Sequence, residues 1–188
     1  MKYTERIVGE DIDHEYEILG KMEEKYEERD VSYFNKVLKD EPSLVVRVHA
    51  VTVLSEIGDE SSVPVLAGVM KNDPSSLIRH ECAFSLGQMG LKSAIPYLCD
   101  STLNDPSEIV RHESAAALGS IGDESARKVL VKASKDESEE VRGSAIASLF
   151  NLDFIEHSAT KKSWNVDSVS MQVARAKSEK KKKKMPHP

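Results

Sequence analysis

The chain has little of several things. Aromatic residues make up 5% of its 188 positions, with a single Trp. Gly and Pro number 9 and 7, which is too few for many short strands joined by tight turns. Ala, Leu, Val and Ile are plentiful instead, and the balance predicts an all-helical protein. There are 2 Cys, so no disulfide framework is expected. Cys82 and Cys99 both fall in predicted helices and are read as small buried core residues. No apolar run approaches ~20 residues, so no membrane span is expected. The opening "MKYTERIVGEDIDHEYE" is too acidic for a secretory signal. A reducing, cytoplasmic setting is the expected one.

Charge is short on one side. Residues 1–155 hold 17 Lys and Arg against 29 Asp and Glu, while residues 156–188 hold 9 against 3. An acidic body is not the footprint of a DNA-binding surface. It suits a cationic partner or substrate, or simply a solvated exterior.

What the chain does have is a repeat. Arg47, Arg79 and Arg111 recur at a spacing of 32, as do Gly58, Gly90 and Gly122, and Arg142 follows after 31. Each unit contains two apolar-periodic stretches. One is "SVPVLAGVMKN", "AIPYLCDSTLN" or "ARKVLVKASKD". The other is "LIRHECAFSLGQM" and its equivalents. Asp73-Pro74 and Asp105-Pro106 mark turns, and Ser75 or Ser76 and Ser107 are placed to cap the helix that follows. Pro64 and Pro96 sit in first turns, where a missing N–H costs little. Two helices per ~30 residues predict a helical solenoid of the HEAT type, with about four helix pairs over residues 31–156. Residues 1–30 are expected to form a helical cap, and residues 157–188 a basic tail without fixed structure.

Two units carry the same dipeptide in the same register, His80-Glu81 and His112-Glu113. On a helix, Ile78, Cys82, Leu86 and Met89 form one apolar face, and Val110, Ser114, Ala117, Leu118 and Ile121 form its counterpart. The His-Glu pairs point away from these faces. Phe84 and Gln88 lie beside the first pair, and Ala116 and Ser120 beside the second. Stacked repeats place neighbouring helices about 10 Å apart, so the four side chains are expected to share one surface. The first repeat has Val48-His49 at the same positions and the last has Gly143-Ser144, so the pair is not required by the scaffold. Imidazole and carboxylate together are ligands for Zn, Fe, Mn or Ni, and two His with one carboxylate suit oxygen-activating Fe(II). Ordinary surface residues copied along with the repeat are the other reading.

"RHECAFSLGQM", "AIPYL" and "VRHESAAALGSIGD" resemble the deoxyhypusine hydroxylase family. The resemblance covers about residues 31–155, one half of the usual two-half chain. Phycobilin lyases share the repeat without the doubled pair. The resemblance implies a HEAT-repeat di-iron monooxygenase that uses O2 to hydroxylate a spermidine-derived lysine side chain on a translation factor. Carried over by motif, it implies that His80, His112 and Glu113 bind iron and that Glu81 holds the substrate amine. A chain with one half implies a homodimer, since a twofold axis presents the same patch twice and restores four His-Glu pairs. The alternatives are a non-catalytic HEAT adaptor that binds a peptide, and a metal-dependent enzyme of another class.

Three further features carry less. His14-Glu15 echoes the pair out of register with the 32-residue period. His49 occupies the Glu slot of the first repeat and reads as a surface histidine. In the tail, Trp164 to Ala176 suit a short docking helix, Lys180–Lys184 suit nucleic acid, the ribosome or an acidic surface, or simply a solubilising tail, and His187 carries no signal.

Overall fold

The computed structural model describes residues 10–160. The tail features, from Trp164 to His187, lie outside the described residues. Nine α-helices occur among the described residues: α1 (Glu10–Glu27), α2 (Val31–Asp40), α3 (Leu44–Ile57), α4 (Ser62–Asn72), α5 (Ser76–Met89), α6 (Ile95–Asn104), α7 (Glu108–Ile121), α8 (Arg127–Ala133) and α9 (Glu139–Thr160). Short 3-10 turns at Lys92–Ala94 and Glu124–Ala126 precede α6 and α8. No strand occurs among the described residues. The chain divides into two compact units between Ala94 and Ile95.

Helix boundaries follow local chemistry. Asp30, Ser43 and Ser75 cap α2, α3 and α5 by accepting from Tyr33 N, Val46 N and Ile78 N, which satisfies donors left over at a helix start. Ser107 holds the cap position of α7 without a side-chain cap bond. Before α5, α7 and α9, an Asp two residues ahead of the cap position stiffens the turn. Asp73, Asp105 and Asp136 accept from the backbone N–H of Ser75, Ser107 and Ser138 at 2.9, 2.8 and 2.9 Å, the Asx turn that competes with helix and so sets its start. Gly58, Gly90 and Gly122 close α3, α5 and α7 at φ of 65, 66 and 70°, left-handed geometry that other residues adopt only with strain.

In the first unit, α3 packs against α1, α2 and α5, and α4 packs against α5. Its core holds Met22, Phe34, Leu38, Val46, Leu54, Leu66, Ile78 and Leu86, all at 2% exposure or less. Each such aliphatic side chain contributes about 1.5–3 kcal/mol through burial. In the second unit, α7 lies between α6 and α9, and α8 packs on α6 and α9. Its core is Leu98, Val110, Leu118, Leu130, Val141, Ala145 and Leu152.

Some expectations shift. α8 stops at Ala133 rather than running to Asp136, because Lys135 N and Asp136 N bond the Lys132 and Ala133 carbonyls three residues back instead of four. Cys82 is buried as expected, whereas Cys99 is only half-buried. Met89 and Ile121 end their helices half-buried, since each stands directly before the glycine at which the chain turns away. No helix among the described residues is long and apolar enough to cross a membrane.

Candidate functional site

The repeat arginines have a task that their period alone does not reveal. Arg79 donates from Nη1 to the Asp73 carbonyl at 2.9 Å, Arg111 to the Asp105 carbonyl at 3.0 Å, and Arg142 to the Asp136 carbonyl at 2.8 Å. Each guanidinium therefore ties the start of its own helix to the preceding turn. Arg47 also pairs with the Asp73 carboxylate. Arg111 makes a two-pronged pair with Asp136, with Nε and Nη2 each at 3.0 Å from a carboxylate oxygen, the planar match that Arg makes and Lys cannot. Burial pushes the Asp136 carboxyl upward. The hydrogen bonds from Arg111 and the Ser138 N–H, with the Arg111 and Arg142 charges, outweigh it, and the net shift is downward. The Arg111 guanidinium is shifted upward by its hydrogen bond to Asp136. The signal was present in sequence as Asp and Arg on the same 32-residue period.

With Arg79 and Ile78 anchored, the first turn of α5 has a fixed rotation, and His80 and Glu81 emerge half-buried beside them. His80 Nδ1 lies 3.3 Å from Glu81 Oε1, with the side chains 27% and 28% exposed. Leu77, one turn back on the same side, is 41% exposed, and Phe84, one turn on, is 45% exposed.

In the second unit, α7 presents His112 and Glu113, both half-buried, with Ile109 46% exposed one turn back. His112 Nδ1 lies 2.7 Å from Ser144 Oγ and 3.3 Å from the Glu140 carbonyl, both on α9. The Glu140 carboxyl is held below its ordinary value, first by the Ser138 hydroxyl, with Arg142 and His112 adding to it.

Behind His112 runs a polar seam. Ser148 Oγ donates to the Ala115 carbonyl at 2.8 Å, and Asn151 Nδ2 donates to the Gly119 carbonyl at 2.7 Å. Ser144, Ser148 and Asn151 are four and three residues apart, so they lie on one side of α9. Gly119 is what lets the helices close, because a Cβ there would stand 2.9 Å from the Ser148 Cα. Ser114, expected on the apolar stripe, is fully buried and shares a 2.7 Å hydrogen bond with Ser101.

The first-unit pair and the second-unit pair thus stand on different compact units, α5 and α7. Among the described residues no group of three or more His, Cys, Asp or Glu side chains is arranged to hold a metal ion. His14 Nε2 is 3.4 Å from Glu41 Oε2, and Glu15 accepts from Ser43 Oγ at 2.5 Å, so this echo of the motif braces the turn before α3. His49 is exposed. A groove lined by Leu38, Arg47, Pro64, Gly68 and Asp73 includes none of the four motif residues.

The model for HEAT repeats matches residues 31–119 and 101–161. The chain belongs to the HEAT-repeat family. Among solved structures, this HEAT-repeat protein is similar to human deoxyhypusine hydroxylase in complex with glycerol, at 29% identity and a TM-score of 0.66. The match covers 79% of this chain and 51% of the hydroxylase, so the chain spans about half of that protein's length. It is also similar in fold to the complex of CpcE and CpcF of phycocyanin lyase from Nostoc sp. PCC7120. That match has 22% identity and a TM-score of 0.56, and covers 78% of this chain and 62% of that one. No curated protein matches the HEAT-repeat chain significantly by sequence.

Proposed function

We propose that this HEAT-repeat protein is a di-iron monooxygenase of the deoxyhypusine hydroxylase type, with its active site completed across a homodimer. Its substrate is a deoxyhypusine side chain on a translation factor. The observation that carries the reading is the His-Glu pair, repeated in register on α5 and α7 and missing from the equivalent positions of the first and last repeats. The similarity to one half of the human hydroxylase supports it.

The donor set fits iron in its chemistry. His80, His112 and Glu113 are the ligands, two imidazoles and a carboxylate. The Glu140 carbonyl can only accept, so the His112 nitrogen paired with it is a donor, and in the neutral ring Nε2 is the nitrogen with the lone pair. A metal-binding His whose other nitrogen is tied to a carbonyl is held in one tautomer and one orientation. When bound, iron supplies the activation of dioxygen that hydroxylation of an unactivated carbon requires. Glu81 accepts a charge-assisted hydrogen bond from the substrate amine, and the acidic body draws a cationic side chain toward it. A twofold axis brings two copies of each pair to one centre.

Native mass spectrometry of protein purified with iron tests this. The expected species is a dimer carrying two irons, both lost in the His112→Ala variant. Metal-free protein of any oligomeric state, after reconstitution with Fe(II), sinks the proposal.

A second reading, a non-catalytic adaptor, is favoured by the exposed Leu77, Phe84 and Ile109 side chains that flank the pairs. Under it, His112→Ala leaves partner binding nearly intact and iron content is zero in every variant.

A further inference from the structure

We infer that Ser144, together with the Glu140 carbonyl, is the positioning group for His112, fixing its imidazole as the Nδ1–H tautomer with Nε2 directed away from α9. The inference deepens the iron-site reading and rests on it for the word ligand, but the tautomer itself rests on contacts within the second unit.

Two oxygens face one ring nitrogen. Ser144 Oγ is 2.7 Å from His112 Nδ1 and the Glu140 carbonyl oxygen is 3.3 Å from it. A hydroxyl alone would not choose a tautomer, because it donates or accepts as needed. The carbonyl does choose, because a bare Nδ1 lone pair would face its oxygen with no proton between, but at 3.3 Å it is the weaker contact, and it acts only while the 2.7 Å bond to Ser144 Oγ holds the ring against it. The arrangement that satisfies both is an Nδ1–H shared between Ser144 Oγ and Glu140 O. Free histidine in water prefers the opposite tautomer, with the proton on Nε2, so the seam has to hold His112 against that preference.

The seam is built to do so. Ser144 is the first of three α9 residues whose side chains hydrogen-bond to α7. The next two, Ser148 and Asn151, bond the Ala115 and Gly119 carbonyls at 2.8 and 2.7 Å. The missing Cβ at Gly119 allows backbone-close packing of α9 on α7. Arg142 pins the start of α9 to the Asp136 and Glu137 carbonyls, each at 2.8 Å. The distance from Ser144 to His112 is therefore set by two well-anchored helices. Ser144 also occupies the slot that Glu113 occupies one repeat earlier. The repeat that lacks the His-Glu pair uses that slot to orient the His of its neighbour.

The test uses the full chain, labelled with 15N and free of metal, at about pH 8, where an ordinary imidazole is neutral. Long-range 1H–15N correlation distinguishes protonated from bare ring nitrogens, and the His112→Gln spectrum identifies the His112 signals. Wild type is expected to show Nδ1 protonated and Nε2 bare. Ser144→Ala is expected to show a mixture or the reverse, and Ser144→Thr, which keeps the hydroxyl, to restore the wild-type pattern. Fe(II) titration of the same proteins should show a Kd weaker by roughly 10–100-fold for Ser144→Ala, the usual cost of losing such a support, with recovery in Ser144→Thr. An Nε2–H tautomer in wild type overturns the inference, as does a Ser144→Ala variant with unchanged signals. If the tautomer is as stated but wild type binds no Fe(II), the positioning role stands and the monooxygenase reading falls.

Discussion

Placing a methyl group on Gly119 asks how tightly α7 and α9 are keyed together. A Cβ built there meets Ser148 Oγ at 2.3 Å, Ser148 Cβ at 2.6 Å and Ser148 Cα at 2.9 Å. A new Ser148 rotamer moves only the first of these atoms. The backbone carbon of Ser148 yields only if the helices part by several tenths of an ångström, to reach ordinary carbon–carbon separation near ~3.5 Å. Overpacking of this kind costs about 1–3 kcal/mol. The separation also strains the Ser148 and Asn151 hydrogen bonds, worth about 1 kcal/mol each. Against this, Ala is better than Gly inside a helix by about 1 kcal/mol. The balance for Gly119→Ala is a loss of about 2 kcal/mol. With a urea m-value of about 2 kcal/mol/M, the unfolding midpoint should fall by about 1 M. The internal control is Gly68→Ala on α4, where a Cβ meets nothing within 4 Å. There the helix gain is unopposed, and stability should rise by about 0.4–1 kcal/mol. Removing the obstacle as well, in Gly119→Ala with Ser148→Gly, should recover part of the loss non-additively. An unchanged or higher urea midpoint for Gly119→Ala alone would refute close packing at this seam.

Acid stability tests the Arg111–Asp136 pair. The folded Asp136 carboxyl lies below its ordinary value, so its contribution is fully present above the unfolded carboxylate pKa of about 3.9 and is lost as pH falls through the lower folded value. Asp136→Asn should be less stable at neutral pH and show a flatter decline below about pH 4, read by urea titrations from neutral pH into the acid range. Parallel pH profiles for the two proteins would count against a role for this pair. Thiol labelling tests the core of the first unit. Burial pushes the Cys82 thiol far up, and Cys99 is raised less by its partial burial. Iodoacetamide at about pH 8, near the ordinary thiol pKa, should leave Cys82 unmodified until urea unfolds the protein, with Cys99 reacting first. Native-state labelling of Cys82 at the rate of a model thiol would place it outside the core.

Much of the scaffold could be read without coordinates, because its signals are local. Gly58, Gly90 and Gly122 end helices since each needs a left-handed φ. The stretch "SVPVLAGVMKN" is α4 to the residue. The direction of the His-Glu pairs, away from the apolar stripe, follows from helix periodicity alone. The seam was harder to read. Ser144, Ser148 and Asn151 look like ordinary polar helix residues until their partners are known, and those partners are one ring nitrogen and two main-chain carbonyls, which leave no mark in sequence. Ser114 misled in another way. It lies on the apolar stripe, yet its hydroxyl is satisfied by Ser101 from α6, a partner that periodicity within one helix cannot supply. The repeat arginines gave the period away, but not their task.

Because Ser144 serves His112, and Asp136 serves Arg111, the stretch of chain copied by duplication and the stretch that works as a unit are offset by about one repeat. A functional boundary drawn at the glycines would sever His112 from its support. A minimal fragment that keeps α7 working must extend through α9, although α9 itself carries no motif. The last repeat lacks the His-Glu pair but is bound to the preceding one, so substitutions there can displace His112 while leaving every motif residue in place.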